Sequence, residues 1–339
     1  MVKRVAVLHS AIAESASKDE QDTLVQVGVV SEALRGLGFE PVAVPFSFDT
    51  KSSILRLQQL NPLFVFNLVE AIEGVGRFQH LAPMVLEHLG LPYTGANSQV
   101  LFLTTDKLLT KRVLGAQGIP TPDSFPRTSS IEPSFEGSPR YLRKSVHEDA
   151  SIGIDEHSVV AIDSVGMLEQ WVLDKERADG GEWFAERYID GREFNVGFVS
   201  GQDGGLRALP TAEIRFDAFP PEKLRIVDYR AKWDVESFEY EHTDVHFDFP
   251  ASDRELLTTL EALSLQAVAA CGIKSYCRLD FRVDSAGQPW ILELNANPCI
   301  APDAGYAIAA AHGGLSLAGL VESIVAPVIE RLARGRSHE

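Results

Sequence analysis

The first part of the chain alternates between short apolar runs and longer amphipathic stretches. The apolar runs occupy residues 5–9, 41–46 and 64–68, and amphipathic stretches at 23–37 and 54–60 separate them. Strands of a parallel sheet are apolar throughout because helices cover both of its faces, whereas a covering helix needs only one apolar face. The pattern therefore predicts βαβ units in an N-terminal, Rossmann-like α/β domain.

The middle of the chain has the pattern of a small α+β lobe. A predicted helix carries Asp106, Lys107 and Lys111 and ends at Gly118, because glycine readily adopts the left-handed conformation found at helix ends. The rest of this lobe is predicted as strands at 141–146 and near 159–162, followed by a helix that Ser164 could cap.

The last segment has the pattern of an antiparallel sheet followed by helices. Alternating apolar and polar residues predict strands at 183–189 and 193–199, and a hairpin from 275–283 and 289–294 that turns at 285–287. Alanine-rich helices are expected from Ala304 and from Leu315. The acidic and aromatic stretch 236–249 is expected to be a loop.

The composition is that of a globular protein with a strong negative charge. The chain has 339 residues and a formal net charge of -17, which disfavours nucleic acid as a partner because phosphate backbones are bound mainly through Lys and Arg. No stretch approaches the roughly 18 uninterrupted apolar residues of a membrane-spanning helix, so no membrane partner is expected. The three cysteines fit neither a disulfide set nor a CxxC metal motif, and the first apolar run is too short for a signal peptide. A cytoplasmic protein with reduced thiols is expected.

The most informative stretch is YCRLDFRVD followed by WILELNANP. If these are neighbouring antiparallel strands, period-two alternation places Arg278 and Asp280 on one face, and Glu293 and Asn295 on one face. The oxygen atoms of Asp280, Glu293 and Asn295 suit Mg²⁺, and two ions that share Glu293 could clamp a phosphoryl group during transfer. Arg278 would stabilise negative oxygens there. The alternative for any single one of these residues is a solvated charge on the sheet face.

A series of short motifs runs through nearly the whole chain: LGLPYTG, DKLLTK, GIPTP, RKSVHEDASIG, ERYIDGREF, DYRAKW, YCRLDF and LELNANP. In this order and approximate spacing they resemble the D-alanine:D-alanine ligase branch of the ATP-grasp superfamily. The resemblance implies an α/β fold with α+β lobes, in three domains at 1–97, 98–187 and 188–334. ATP would lie between the last two, and the reaction would pass through an acyl phosphate.

The resemblance also implies roles at the nucleotide. Lys107 and Lys144 match lysines that contact the phosphates, and Glu193 matches the residue that binds the ribose hydroxyls. Glu186 matches the residue that reads the adenine amino group, while Ile189 reads adenine through its backbone. Solvated lysines and a strand-edge glutamate are the alternatives. The implied cofactors are ATP and Mg²⁺, with two metal ions and with Mn²⁺ as a substitute.

Catalytic residues are implied in the same way. Lys232 matches a lysine that reaches the transferred phosphate from a mobile loop, and it joins Arg278, whose catalytic role rests on the strand alternation. Ser151 matches the serine of the lid that covers the phosphates. The family's lid reads Glu-Gly-Ser-Ser, whereas here Glu148 is followed by Asp149. A carboxylate beside triphosphate is repulsive, so Asp149 is expected to face solvent or a cation.

The acceptor side departs further from the family. Cys299 replaces the glycine after NANP, and Ala304 stands where the family has a serine that grips the acceptor's carboxylate. An ionised Asp303 would repel that carboxylate; its alternative role is to cap the helix that follows. The residues expected to face substrate are His9, Glu20, Glu70, Cys299 and Asp303. The amine-binding carboxylate stays open between Asp19, Glu20 and Asp22, and the alternative for His9 is a packed histidine.

The residues and the resemblance together favour an ATP-dependent ligase that joins a small-molecule carboxylate to an amine, assembled as a homodimer. One alternative is a D-alanine:D-alanine ligase proper. The other is a non-catalytic nucleotide-binding regulatory domain, which would not need the complete set of metal and oxyanion residues described above.

Overall fold

A parallel three-stranded sheet begins the computed structural model, which describes residues 3–12, 16–126, 135, 137–201 and 205–336. Its strands are β1 (Arg4–Ser10), β2 (Glu40–Phe46) and β3 (Phe64–Leu68), in the order β2-β1-β3. Helices α1 (Lys18–Gly36) and α2 (Thr50–Leu60) connect them. The predicted βαβ pattern is confirmed, and its apolar runs are explained by the complete burial of the central strand from Val5 to Leu8.

The end of the chain completes the core of this first sheet. Helices α10 (Gly305–His312) and α11 (Leu317–Arg336) pack with α1 against the face that carries Val5 and Val7. Helix α2 and helix α3 (Leu81–His88) cover the opposite face, which carries Ala6 and Leu8. Within the described ranges no single helix is long and apolar enough to cross a membrane; α10 and α11 pass on length and composition only as a pair, bent by 99°.

A four-stranded antiparallel sheet forms the middle of the protein. Its strands are β4 (Ser124–Phe125), β5 (Arg140–Ser145), β6 (Val159–Ala161) and β7 (Trp183–Arg187), in the order β4-β7-β5-β6. A 3-10 helix (Gly76–Phe78), α4 (Ser98–Thr105) and α5 (Lys107–Ala116) precede it, and α6 (Val165–Asp179) lies between β6 and β7. Ser164 caps α6 as predicted, since its hydroxyl accepts from the Met167 N–H.

Asp106 divides a region predicted as one helix. It has an extended backbone between α4 and α5, and its carboxylate accepts a hydrogen bond from the Leu109 N–H at 2.9 Å. Aspartate is a preferred residue at this position because it satisfies a donor that the first helical turn leaves free. Lys107 therefore lies at the start of α5 rather than inside a longer helix.

A six-stranded antiparallel sheet forms most of the last segment. Its strands are β8 (Gly191–Ser200), β9 (Leu206–Ala208), β10 (Ala212–Arg215), β11 (Asp244–His246), β12 (Cys277–Asp284) and β13 (Pro289–Asn295). The order is β11-β10-β8-β12-β13, with β9 also paired to β8. Its helices are α7 (Tyr229–Trp233), α8 (Phe238–Glu241), a 3-10 turn (Ala251–Asp253) and α9 (Arg254–Ala270).

The prediction that residues 236–249 form a loop is wrong. This stretch contains α8, which Ser237 caps by accepting a hydrogen bond from the Tyr240 N–H, and it contains β11, which pairs with β10. Elements of four and three residues span little more than one period of the helix or strand pattern, which is too short for the pattern to reveal them.

Candidate active site

Alternate residues of β12 form a polar row on one face of the six-stranded sheet, while the residues between them are buried in the core. Across the β12–β8 ladder, Asp280 lies opposite Asn195 and Arg282 lies opposite Glu193. The Asn195 side-chain amide donates to the Asp280 carboxylate at 2.8 Å. Arg278 begins the row, and its guanidinium donates twice to Asp280, at 2.7 and 2.8 Å.

Strand β13 adds two oxygen-bearing side chains to this row. Glu293 lies opposite Asp280, and Asn295 lies opposite Arg278, with an irregularity in the pairing directly after Asp280. The structure thus brings together the four residues that the alternation had grouped. Burial raises the pKa of Asp280 to about 6, because Arg278 only partly offsets it and the Glu293 charge adds to the increase.

Four cations surround Glu293. Burial alone would raise the pKa of this carboxyl, but Lys107, Lys144, Lys232 and Arg278 together lower it to about 2. In a chain with a net charge of -17, such a concentration of positive charge requires an explanation. A bound polyphosphate would supply the negative charge that these cations lack.

The middle sheet contributes a buried glutamate with two lysines. Lys144 contacts one oxygen of Glu186 at 2.5 Å, and Lys111 contacts the other at 2.9 Å. Burial would raise the pKa of Glu186, but the two lysines hold it below its ordinary value. Ile189 follows β7, is half-buried, and its backbone forms no hydrogen bond to another described residue.

Glu193 also has a buried cationic partner. The Arg282 guanidinium contacts its carboxylate at 2.6 Å. Arg282 donates in addition to the backbone oxygens of Gly191 and Arg225. No role was assigned from the sequence to Arg282 or to Lys111. Arg282 could have been found, because it continues the alternation of Arg278 and Asp280 along the same strand.

The predicted lid, residues 147–153, lies over Lys107. The Lys107 ammonium donates to the backbone oxygen of Glu148 and to the carboxylate of Asp149, both at 2.8 Å. Asp149 therefore faces a cation, as expected. Gly153 has a φ of +72°, and a Cβ at this position would lie 2.3 Å from the Trp183 ring. Glycine is thus required at that point of the lid.

The lid also contacts the other two segments of the chain. Both carboxylate oxygens of Glu148 accept from the Gly76 N–H, at 3.1 and 3.0 Å. The Ser151 hydroxyl donates to the Val227 backbone oxygen at 2.7 Å. Trp233, where the family has a tyrosine, donates from its indole to the Ala150 backbone oxygen at 3.1 Å.

Lys232 lies beside this contact, at the end of α7. It is half-buried and forms neither a hydrogen bond nor an ion pair with another described residue. Its charge nevertheless acts on both Asp280 and Glu293. A lysine with free donors near two carboxylates is available to a ligand that enters between them.

The acceptor side is acidic. Cys299 donates from its thiol to Asp22 at 3.0 Å, and Gln26 donates to both Asp22 and Glu70, at 3.2 and 2.9 Å. Burial, and then the charges of Glu70 and Asp22, raise the pKa of Cys299 well above its ordinary range. A thiol of this kind stays protonated and is a poor nucleophile. Asp22 was one of the three candidates that the sequence left open for the amine-binding carboxylate, whereas Gln26 was not singled out, since α1 supplies it from a distant part of the chain.

Two of the predicted substrate residues have local roles in this structure, and a third is exposed without one. Glu20 accepts hydrogen bonds from the Ser17 N–H and hydroxyl at the start of α1. His9 is 8% exposed and bonds to the Ser10 backbone oxygen, and burial lowers its pKa. Asp303 is exposed and does not cap α10: the cap position is Ala304, without a side-chain hydrogen bond. The alternative of a helix cap for Asp303 is therefore wrong.

The segment around Asp303 lies beside the row of β12. A Cβ on Gly305 would stand 3.8 Å from the side-chain oxygen of Asn195, and Asn195 in turn bonds to Asp280. The start of α10 is therefore adjacent to the centre of the site.

The donor set fits a metal ion that takes part of its coordination from a ligand. Among the described residues no group of three or more His, Cys, Asp or Glu side chains could hold a metal ion. Asp280, Glu293 and Asn295 supply two carboxylates and one amide oxygen. Mg²⁺ prefers such hard oxygen atoms and commonly completes its octahedral shell with phosphate and water.

Comparison with known proteins identifies relatives of this chain. A family model described as "D-ala D-ala ligase C-terminus" matches residues 139–326. An uncharacterized protein of Sinorhizobium fredii, y4sG, is 29% identical over 302 residues, which cover 87% of this chain and 85% of that protein. The D-alanine–D-alanine ligase of Bordetella avium is 30% identical over 317 residues, 91% of each chain.

The fold is shared as well. The crystal structure of D-alanine–D-alanine ligase from Bacillus anthracis complexed with ATP matches 98% of this chain and 100% of that chain, with a TM-score of 0.68 and 19% identity. This chain therefore belongs to the D-alanine:D-alanine ligase family, a family of ATP-dependent ligases with the ATP-grasp fold.

Proposed function

We propose that this enzyme uses ATP to convert a carboxylate into an acyl phosphate and then transfers the acyl group to an amine, releasing ADP and phosphate. The observation that carries the proposal is the set of four cations around Glu293, which faces Asp280 across two adjacent strands. Cations near paired oxygen ligands are suited to a triphosphate with its metal ion, because each supplies the charge that the other lacks.

The nucleotide would span the two antiparallel sheets. Lys107 and Lys144 would bind its phosphates, while Glu186 and Ile189 would bind adenine and Glu193 the ribose. These roles are taken from the resemblance, and the burial of each of these glutamates against a cation supports them. The relative from Bacillus anthracis is described as complexed with ATP.

Asp280, Glu293 and Asn295 would hold Mg²⁺, in one or two ions. When bound, the metal would neutralise charge on the phosphates during transfer. Lys232 would contact the moving phosphoryl group, and Ser151 would cover it from the lid. Arg278 lies within the same row and would stabilise the oxyanion that forms when the amine attacks the acyl carbon.

The second candidate is a D-alanine:D-alanine ligase proper, the function named for the relative from Bordetella avium. The acceptor side disfavours it. Asp22, Glu70 and Asp303 make that side acidic, and Asp303 raises the pKa of Asp22 in addition to the effect of burial. An acceptor that presents a carboxylate there would be repelled, whereas one that carries a second positive group would be attracted.

ADP release with a panel of carboxylates and amines tests the proposal. We expect release to require both a carboxylate and an amine, and the product mass to equal their sum less water. Release that needs no amine, or a D-alanine dimer as the only product, would contradict the proposed reaction or its acceptor. A homodimer stays a prediction from the resemblance, and a cytoplasmic location stays a prediction from the sequence.

A further inference from the structure

We infer that Lys111 and Arg282 are positioning residues, each of which fixes one nucleotide-reading carboxylate through a buried ion pair. Lys111 fixes Glu186 for the base, and Arg282 fixes Glu193 for the sugar. The inference rests on the proposed function, because the roles of Glu186 and Glu193 do.

The contacts of Lys111 show that it is fixed in place. Its ammonium contacts Glu186 at 2.9 Å, donates to the Thr121 hydroxyl at 2.8 Å and reaches the Pro122 backbone oxygen at 3.4 Å. One ion pair and two hydrogen bonds therefore engage the ammonium, which can donate three hydrogen atoms. Its side chain is 2% exposed, so it cannot turn towards a ligand without breaking buried hydrogen bonds.

Lys144 differs from Lys111 in this respect. Glu186 is its only ion-pair partner among the described residues, and its charge also acts on Glu293. Two of its three donors are therefore free for a phosphate. Because Lys111 neutralises Glu186, Lys144 can turn towards a phosphate without leaving a buried charge alone, which would be costly.

Arg282 fixes Glu193 by a comparable arrangement. The two residues lie directly opposite each other on β12 and β8, and the guanidinium contacts the carboxylate at 2.6 Å. The backbone oxygens of Gly191 and Arg225 accept further hydrogen bonds from it. The Arg282 side chain is 4% exposed, so its charge is committed to the protein and serves the ligand only through Glu193.

An ionised, correctly oriented carboxylate is needed at both places. An ionised carboxylate only accepts hydrogen bonds, whereas a protonated one also carries a donor. The amino group and the hydroxyl of the ligand are donors and need such an acceptor. A buried carboxylate without a partner cation would take up a proton. The loss of either cation should therefore weaken one specific part of nucleotide recognition, the base for Lys111 and the sugar for Arg282.

The test measures binding by calorimetry for ADP, for inosine diphosphate, which lacks the amino group, and for 2′-deoxyADP, which lacks one hydroxyl. We expect Lys111→Met to reduce the preference for ADP over inosine diphosphate by about threefold to tenfold, the worth of one hydrogen bond. Its preference for ADP over 2′-deoxyADP should be unchanged. Arg282→Met should show the opposite pattern, so each variant is the control for the other.

A ratio of two affinities does not depend on the fraction of folded protein, so a purely structural role leaves it unchanged. If Lys111→Met does not fold, Lys111→Gln keeps a hydrogen-bond donor without the charge and should lower the same ratio. Unchanged ratios in folded variants, or equal losses for base and sugar, overturn the inference while leaving the proposed function intact. Wild-type protein that fails to bind ADP would overturn both.

Discussion

The nucleotide end and the acceptor end of the site are built from different kinds of structure. At the nucleotide end, Glu186 and Glu193 lie on strands, and each contacts a buried cation. At the acceptor end, Asp22 and Asp303 come from the first turns of α1 and from the segment before α10, and neither forms an ion pair with a described Lys or Arg. One end is positive and rigidly paired, and the other is negative. On the proposed function, the nucleotide would be held by residues fixed on the sheets, while substrate choice would be left to loops and helix ends.

The largest expected effect lies at the point where the two ends meet. Glu293→Gln removes one anionic oxygen ligand among four cations, and we expect kcat to fall about a hundredfold or more, as is typical when positioned charge stabilisation is lost. Asp280→Asn should act similarly. ADP release at saturating Mg²⁺ measures both.

Glu330→Gln makes the same chemical change on the exposed face of α11, where Glu330 pairs weakly with Arg334 at 3.5 Å, and it should keep full activity. Near wild-type turnover of Glu293→Gln would show that this carboxylate does not hold the metal.

Substitutions of Lys144 and Lys232, the two lysines with unused hydrogen-bond donors, should distinguish binding of ATP from the chemical step. Lys144 is held at the site by its contact with Glu186, so Lys144→Ala should raise the KM for ATP by about tenfold through lost ground-state binding. Lys232 has no partner among the described residues, and Lys232→Ala should mainly lower kcat, because it acts when the phosphoryl group moves. Steady-state kinetics with varied ATP measures both constants. Identical profiles for the two variants would remove the distinction.

Strand positions explain why the row of polar residues at the meeting point of the two ends could be predicted from the sequence. Period-two alternation grouped Arg278 with Asp280 and Glu293 with Asn295, and the ladders bring them together. The same rule reaches Arg282, which follows two residues after Asp280.

Contacts between distant segments could not be predicted in this way. Cys299 meets Asp22 across 277 positions of sequence, and Trp233 meets Ala150 across 83. No local period encodes such a meeting, because it depends on how α1 and α7 pack. The failure at α8 and β11 has a related cause, since a cap and one neighbouring strand stabilise elements too short to show a period.

The acceptor end is tested by Asp303→Ser, which restores a hydroxyl near the place where the family has one. Asp303 is exposed and caps no helix, so stability should be unchanged. We expect a shift of about threefold to fivefold in kcat/KM towards amines that carry a free carboxylate, a modest effect because solvent screens an exposed charge. Competition between amino acids and their amides measures the shift. An unchanged order of preference would show that Asp303 does not select the acceptor.

The smallest effect is expected at Asp149, where the lid places a negative charge at the positive end of the site. The Asp149 carboxylate contacts the Lys107 ammonium at 2.8 Å. Burial would lower the pKa of Lys107, but Asp149 and Glu293 raise it, so this lysine stays charged. If Lys107 binds phosphate, then ATP must displace the Asp149 carboxylate, which is negatively charged like the phosphate itself. Asp149→Asn should therefore tighten binding of ADP by about threefold, a small gain because Asp149 is 39% exposed and its ion pair is screened. A gain in affinity cannot arise from damage to the fold.

Glu156→Gln is the matched control: it removes an exposed negative charge just beyond the lid without contact to Lys107, and it should leave affinity unchanged. Calorimetric titration of both variants with ADP at two salt concentrations measures the change in affinity. Equal effects of the two substitutions would show that Asp149 acts only through its contribution to the overall charge. Weaker binding by Asp149→Asn would show that the carboxylate helps to bind the nucleotide.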